Sequence, residues 1–421
     1  MDKSTTYCAH GSIEPLYVVF AQVCVVSGFL LRVSRYRRRV KFSERVELNE
    51  PNAVTLAQRA ARRDGTLKVN LADSNPTRWG LGAPGLPPYE PDPRGPRAAR
   101  EVLAAWLGER DGREVDPENL YLLSSTSQGY TWLTKLTSDP GDRLAAPTPG
   151  YPLVETIAGL ENVGVDFYPL TWVGSRWELS ELNPGEASAV VAINPNNPTG
   201  SYVHGEDRQR LLNYCADHGV ALIADEVFFD FDLPGAPTQP ADRQRLAGTT
   251  EVLTFALDGM SKNLSAPGLK IAWLEVSGPE CDVVAARARL DVIADAYLPF
   301  SDVLAQRLTE YLAAVPAATS ATRQRCRENL ATLRDLVRTE PSGTVSLLEP
   351  EGGWNALLRF PAHVDEDALI TGLIARRGIT AQPGYFFDMP FAGVVSVSLL
   401  LDAPAFQFAT QALLASIAGQ L

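Results

Sequence analysis

Cysteine and histidine are scarce in this sequence, and neither forms a recognisable cluster. Five cysteines occur among 421 residues without CxxC or framework spacing, and the four histidines lie apart from them. Neither a disulfide scaffold nor a structural zinc site is therefore expected, and the cysteines are interpreted as reduced and cytoplasmic. No GxGxxG motif follows a strand pattern, so a dinucleotide-binding fold has no support.

Positive charge is also in deficit, because the formal net charge is −12. This balance argues against a broad basic surface for nucleic acid, and an anionic small molecule would need a local positive pocket. A length of 421 residues suits an enzyme of two interlocked domains rather than one core.

The first 39 residues differ in character from the rest. Residues 16–31 are almost wholly apolar and precede a run of arginines. The apolar run is shorter than the roughly 20 residues that span a bilayer, and no small-residue cleavage site follows it. We favour the interpretation that translation begins near Val40 and that the residues before it are not part of the protein. Association with a membrane is not expected. A membrane or surface anchor and a packed arm are the alternatives.

From about Arg97 onward, helical and strand patterns alternate. Helix-period apolar residues occur over 97–109 and 126–137. Short apolar runs between turn signals predict strands at 163–168, 189–194, 220–224, 252–257 and 271–276. This alternation indicates a largely parallel sheet covered on both faces. After about Phe300, two amphipathic helical segments predict a connector into a smaller α+β domain.

Polar side chains follow three of the predicted strands, at the edge where open α/β sheets bind ligands. The strand at 189–194 runs into NPNNPTG, the strand at 220–224 ends in Asp225 and Glu226, and the strand at 252–257 precedes DGMSKN with Lys262. Taken singly, each fits an ordinary turn, cap or surface charge.

The combination resembles the class I/II aminotransferases, fold type I enzymes that depend on pyridoxal 5′-phosphate (PLP), over roughly residues 69–413. The resemblance implies that Lys262 forms the Schiff base and that Asp225 holds the pyridine nitrogen as an electron sink. It assigns a hydrogen bond to the PLP phenolic oxygen to Asn197. Phe228 stands where many relatives have a tyrosine that also donates to this oxygen. Lys270 replaces the usual phosphate-binding arginine, with Ser261 beside Lys262 in the same motif.

Three further elements fall in the order that the resemblance implies. Ser125, Thr126 and Ser127 offer hydroxyl and N–H groups at a helix N-terminus, which suits a phosphate. Tyr151, in PTPGYP, aligns with the aromatic residue that stacks on the PLP ring. Tyr89 resembles the tyrosine that reaches the phosphate from the neighbouring subunit.

The family implies a large domain with a mixed, mostly parallel seven-stranded sheet and a small α+β domain built from both chain ends. We expect an N-terminal extension at 1–39, the first part of the small domain at 40–87, the large domain at 88–308 and the C-terminal small domain at 309–421. A cytoplasmic homodimer that transfers an amino group between an amine or amino acid and an oxo acid is implied. A PLP-dependent lyase or cyclising enzyme of the same fold is the alternative.

The sharpest departure from the family concerns the substrate carboxylate. Relatives carry an arginine on a C-terminal strand that clamps this group, and here Ser396 takes its place. No arginine occurs after Arg377. Either another cation, such as Arg78, binds the carboxylate, or the substrate is not a standard α-amino acid. Ser74, Asn355 and Ser396 are the candidate substrate residues.

Overall fold

The computed structural model describes residues 18–26, 29–85, 88–183, 185–235 and 243–420. Residues 1–17 of the expected N-terminal extension lie outside these ranges. The strands β1 (Val18–Val26) and β2 (Phe29–Arg37) pair with each other in an antiparallel, two-stranded sheet of their own. Within the described ranges, no helix combines the length and apolar character needed to cross a membrane.

The large domain is built on an eight-stranded sheet in the order β3-β10-β9-β8-β7-β4-β5-β6. Its strands are β3 (Leu120–Leu123), β4 (Arg143–Thr148), β5 (Gly164–Val173), β6 (Arg176–Leu179), β7 (Ala189–Ile193), β8 (Ala221–Asp225), β9 (Thr254–Gly259) and β10 (Ala272–Ser277). The run from β5 through β4, β7 and β8 to β9 is parallel. The expected mixed, mostly parallel sheet is confirmed, with eight strands instead of seven. The extra strand arises because β5 continues beyond residue 168 and turns back at Gly174 (φ 64°) into β6.

Helices cover both faces of this sheet. They are α2 (Arg97–Asp111), α3 (Thr126–Thr137), α4 (Leu153–Leu160), α5 (Gly205–His218), α6 (Met260–Asn263), α7 (Glu280–Ala296) and α8 (Asp302–Gln306). The helix α1 (Ala53–Arg63) precedes them and buries none of its residues in this chain. Along β7, Val191 packs into the core formed with α3 and α7, whereas its neighbour Val190 packs into the core formed with α5. The strand is apolar throughout because successive side chains enter opposite cores.

One long helix, α9 (Leu308–Arg338), joins the two domains. Two helical segments were expected after about Phe300, and the second part of the first and the whole of the second form this one helix, which runs through Pro316. Its first part buries Leu312 in the large domain, and its second part buries Leu330 in the small domain. We attribute its continuity to this anchoring at both ends, which offsets the hydrogen bond that proline removes.

The small domain contains a four-stranded antiparallel sheet in the order β11-β12-β14-β13. Its elements are β11 (Ser346–Leu348), β12 (Asn355–Arg359), α10 (Glu366–Arg377), β13 (Gln382–Pro383), β14 (Val394–Ser398) and α11 (Ala403–Ala418). At the other end of the chain, Val40 and Val46 are buried against the large-domain core, and the Ser43 amide donates to the Leu136 carbonyl at 2.8 Å.

Candidate active site

The carboxyl ends of β7, β8 and β9 lie side by side and bring the three motifs into one cavity. Parallel strands that are direct neighbours end at the same edge of the sheet, which explains why residues far apart in sequence meet here. The cavity is lined by Thr126, Tyr151, Ile193, Asn197, Asp225, Val227, Phe228, Gly259, Ser261, Lys262 and Ala272. Six of the expected site residues are therefore brought together.

Asp225, the last residue of β8, is 4% exposed and forms no ion pair within 4 Å to a described residue. Its carboxylate accepts hydrogen bonds from the Tyr130 hydroxyl at 2.9 Å and from the Val227 amide at 3.2 Å. Burial raises the pKa of Asp225 to about 6, against the lowering effect of these two hydrogen bonds. The site thus contains a buried carboxylate that a cationic partner would stabilise.

Tyr130 is a site residue that the sequence analysis missed. It lies on α3, four residues after Thr126, so the two side chains share one face of the helix. Burial, together with the Asp225 carboxylate, raises the pKa of Tyr130 well above its ordinary value, which keeps the phenol protonated as a donor. Helical spacing from the expected phosphate-binding turn is the signal that could have identified it.

Lys262 lies on the short helix α6, and burial lowers the pKa of its amine. Its Nζ stands 5.0 Å from the centre of the Phe228 ring and 4.8 Å from that of Trp354. The two rings contact each other edge to face, with centroids 5.3 Å apart. Trp354 was also missed, because its approach from the small domain has no local sequence signal. The amine therefore lies beside aromatic rings and within the electrostatic influence of Asp225.

Asn197 follows β7 and contacts the small domain. The Asn355 Nδ2 donates to Asn197 Oδ1 at 3.3 Å. This contact places Asn355, one of the three expected substrate residues, at the margin of the cavity that Asn197 lines.

The N-terminus of α3 forms another part of the wall through Thr126. The Ser125 hydroxyl caps the helix by accepting from the Gln128 amide at 3.1 Å. First-turn N–H groups of a helix lack partners within the helix, so this end can receive an anion such as phosphate. Lys270 is exposed and has φ 57° just before β10, and it is not among the lining residues.

The remaining expected residues lie elsewhere in this single chain. Ser74 and Tyr89 are exposed, and the Tyr89 amide donates to the Thr77 hydroxyl at 2.8 Å. Arg78 pairs with Asp73 at 3.3 Å, which lies outside the cavity lining. Ser396 is 3% exposed, and it lines a second cavity in the small domain.

A buried ionic network adjoins the helix that carries Lys262. Asp258, four residues before Lys262, accepts from Arg110 Nη1 at 2.9 Å and from Asn263 Nδ2 at 2.9 Å. Arg110 also binds Asp111 at 2.7 Å. These charges are paired, as buried charges must be, and they fix the turn between β9 and α6. Among the described residues, no group of three or more metal-ligating side chains is placed to hold a metal ion.

The residues present fit PLP. Asp225 offers a buried carboxylate for a protonated ring nitrogen, Lys262 offers an amine whose pKa is lowered, and the α3 N-terminus suits a phosphate. Tyr151 lines the same cavity and supplies an aromatic ring. Among the described residues, Asp225 has no cationic partner, and the protonated ring nitrogen of PLP would supply one.

Residues 90–400 match the family described as aminotransferase class I and II. A valine–pyruvate aminotransferase from Mycobacterium tuberculosis is 27% identical over 306 residues, which cover 70% of this chain and 74% of that protein. An arginine–pyruvate transaminase from Pseudomonas aeruginosa is 26% identical over 322 residues, which cover 74% and 78%. Among solved structures, an alanine aminotransferase from Pyrococcus furiosus has a TM-score of 0.69 at 16% identity, covering 89% of this chain and 90% of that one. The chain belongs to the class I and II aminotransferase family, and it is a PLP-dependent aminotransferase of fold type I.

Proposed function

We propose that Lys262 holds PLP covalently and transfers the proton during amino-group transfer. The observation that carries this proposal is the shared cavity, in which the Lys262 amine and the buried Asp225 carboxylate both line the wall. Burial lowers the pKa of Lys262, and a larger neutral fraction makes the amine a better nucleophile and base. When bound, PLP supplies an electron sink for the charge left at the substrate carbon after its proton is removed.

Each side chain around PLP has its own role in the proposed reaction. Asp225 holds the proton on the ring nitrogen, and Tyr130 keeps the carboxylate in place by donating to it. Nζ of Lys262 removes the proton from the substrate carbon that bears the amino group and returns a proton later in the cycle. Tyr151 packs against the ring, and Asn197 donates to the phenolic oxygen. Ser125, Thr126, Ser127, Ser261 and Lys270 are assigned to the phosphate.

The test of Lys262 is covalent fixation of the cofactor. Borohydride treatment of the loaded protein should attach PLP to the peptide containing Lys262, detected by mass spectrometry. Lys262→Ala should lose both the visible chromophore and the fixation. Lys270→Ala is the matched control, because it removes a nearby lysine amine and should retain fixation with weaker cofactor binding. Covalently fixed PLP in Lys262→Ala would show that the assignment is wrong.

We further propose a cytoplasmic homodimer in which Tyr89 of each chain reaches the partner's phosphate site. The segment that leads to Tyr89 exposes large apolar side chains, including Leu71 (98% exposed), Trp79 (60%) and Leu81 (77%). A second copy of the chain would cover such a surface. The proposed domains are 88–308 and 309–421, with a dispensable extension at 1–39. Of the segment 40–87 that was expected to complete the small domain, residues 40–46 pack on the large domain instead, and only the remainder stays assigned to the small domain. Sedimentation analysis of the loaded protein tests the dimer, and a monomer would contradict it.

The amino donor is proposed to be recognised without an arginine clamp on its α-carboxylate. No arginine is among the residues that line the described cavity, and Ser396 occupies the strand position expected for one. Ser74 and Asn355 remain candidate contacts. We expect weak activity with aspartate, glutamate and aromatic amino acids, and better turnover of amines bound mainly through other groups.

Single-turnover spectra across a panel of amines and α-amino acids test this donor class. Pyruvate is the first oxo acid to use for the second half-reaction, because the valine and arginine enzymes are both named for it. Rapid and tight conversion by any common α-amino acid would instead favour a relocated carboxylate site. Release of an oxo product without a change in the bound cofactor's spectrum would favour elimination over amino transfer.

A further inference from the structure

The contact between Asn355 and Asn197 joins the two domains at the active site. Asn355 begins β12 of the small domain, and Asn197 follows β7 of the large domain. Asn355 Nδ2 donates to Asn197 Oδ1 at 3.3 Å, and both side chains are partly buried. The sequence separation of 158 residues means that only the folded arrangement of the domains creates this contact.

Backbone hydrogen bonds hold the segment before Asn355 firmly against the large domain. The amides of Glu351 and Gly352 donate to the Gly200 carbonyl at 3.1 and 2.9 Å, and the Gly353 amide donates to the Phe231 carbonyl at 2.9 Å. Gly200 is the last residue of NPNNPTG, so this clamp grips the loop that carries Asn197.

Side chains strengthen the same clamp. Glu351 is 2% exposed, and its Oε2 accepts from the Tyr202 amide at 3.0 Å and lies 2.8 Å from His204 Nε2. Trp354 packs edge to face on Phe228, with ring centroids 5.3 Å apart. The position of Asn355 relative to Asn197 is therefore fixed on both sides of the domain boundary.

A primary amide has one accepting oxygen and one donating nitrogen, so a partner on one determines where the other points. With Asn197 Oδ1 engaged by Asn355, Asn197 Nδ2 is left to donate elsewhere. Phe228 cannot supply a hydroxyl donor to the PLP phenolic oxygen, so the orientation of the Asn197 amide decides whether that oxygen receives a hydrogen bond from this part of the wall.

We propose that Asn355 is a positioning residue, which sets the orientation of the Asn197 amide so that Nδ2 faces the cofactor's phenolic oxygen. This inference rests on the proposed placement of PLP. It makes the electronic state of the cofactor depend on a contact between the domains. Loss of the contact frees the Asn197 amide to rotate and weakens its donation.

The measurement is the pH titration of the absorption of the lysine-linked cofactor. A donor to the phenolic oxygen lowers the titration midpoint, because it stabilises the oxygen in its ionised form. The titratable groups that line the described cavity are Lys262, Asp225 and Tyr151, with Tyr130 bound to Asp225. Asn355 and Asn197 are uncharged, so replacing them with alanine changes the midpoint without removing any of these groups.

Asn355→Ala should raise the midpoint by roughly half to one pH unit, the size expected for one hydrogen bond of ordinary strength. Asn197→Ala should raise it at least as much, and the double variant should match Asn197→Ala alone, because Asn355 acts through Asn197. Ser398→Ala is the matched control. Ser398 pairs with Asn355 across β14 and β12, and its replacement should leave the midpoint unchanged.

Asn355→Asp provides a second, nearly isosteric variant if the alanine protein does not fold. A carboxylate at position 355 would accept from Asn197 Nδ2 and turn it away from the cofactor, so a larger rise is expected. Asn355→Asp also adds a negative charge, which can raise the midpoint by itself. The same substitution made in the Asn197→Ala variant measures the effect of this charge alone. Equal shifts for Asn355 variants in both backgrounds, or no shift for Asn355→Ala, would overturn the inference. A wild-type protein without the lysine-linked chromophore would instead overturn the proposed role of Lys262.

Discussion

Asp225→Asn is expected to stabilise the protein that has been freed of its cofactor, although it should impair the loaded enzyme. The carboxylate is 4% exposed and has no ion-pair partner within 4 Å among the described residues. Its ionised form is therefore unfavourable in the folded protein until a cation enters the cavity. Asparagine has nearly the same shape and removes the charge, so its effect on stability isolates this electrostatic cost.

The magnitude follows from the pKa of Asp225, which burial raises from 3.8 to about 6. At about 1.4 kcal/mol for each pKa unit, the ionised side chain destabilises the fold by about 3 kcal/mol. The two oxygens of Asp225 each accept one hydrogen bond, from Tyr130 and from Val227. Asparagine has only one oxygen, so one of these hydrogen bonds is lost at a cost of about 1 kcal/mol. The net gain is therefore about 2 kcal/mol, which corresponds to a melting temperature about 2 °C higher for a chain of 421 residues.

The pH dependence has a definite sign. Below pH 3.8 the carboxyl is protonated in both the folded and the unfolded chain, and the substitution gains nothing from charge removal. Between pH 3.8 and about 6, Asp225 loses its proton in the unfolded chain but keeps it in the folded chain, so the wild-type protein loses stability as the pH rises. Above about pH 6 the difference between the variant and the wild type is full and constant.

Thermal unfolding of the cofactor-free proteins from pH 5 to pH 8 measures this difference. Asp291→Asn is the matched control, because Asp291 pairs with Arg94 at 2.5 Å and should lose stability when neutralised. With PLP added, Asp225→Asn should bind less tightly and turn over far more slowly than the wild type. A cofactor-free Asp225→Asn protein that melts below the wild type at pH 8 would refute the argument that this carboxylate awaits a cation.

Three further outcomes are expected. Phe228→Tyr adds a hydroxyl donor for the phenolic oxygen and should lower the midpoint of the cofactor's absorption titration; an unchanged or higher midpoint contradicts the geometry. Arg110→Ala removes the cation that pairs with the buried Asp258 carboxylate, so it should lower the free energy of unfolding by about 3 kcal/mol in chemical denaturation. Arg338→Ala removes one partner of an exposed ion pair and should change little. A protein that starts at Val40 should be soluble and bind PLP with unchanged stoichiometry; loss of cofactor or of dimerisation would show that the extension is structural.

The parts of the site that could be predicted from sequence are those attached to strand ends. Asn197, Asp225 and Lys262 each follow a short apolar run, and the topology of parallel strands requires such ends to lie at one edge of the sheet. The helix at Thr126–Thr137 was also predicted within the same bounds, because its apolar period and its serine cap are local signals.

The parts that could not be predicted depend on approach between distant segments. Trp354 stands 4.8 Å from the Lys262 amine only because the small-domain segment is clamped to Gly200 and Phe231. The continuity of α9 through Pro316 likewise depends on two hydrophobic cores that lie at its opposite ends. Neither feature has a signal in the surrounding residues, since both arise from tertiary packing.

The replacement of tyrosine by phenylalanine at Phe228 and the presence of Asn355 can be understood together. A tyrosine would donate to the phenolic oxygen from the large domain itself, independently of where the small domain lies. Phe228 instead contributes a ring that packs on Trp354, and this packing helps to hold the segment from which Asn355 reaches Asn197. On the proposed placement of PLP, phenylalanine at this position removes one donor to the phenolic oxygen and supports the contact that we propose orients Asn197, the other donor. If Asn197 donates as proposed, a movement that separates Asn355 from Asn197 would change the protonation equilibrium of the cofactor, and a tyrosine at position 228 would reduce that change by donating from the large domain.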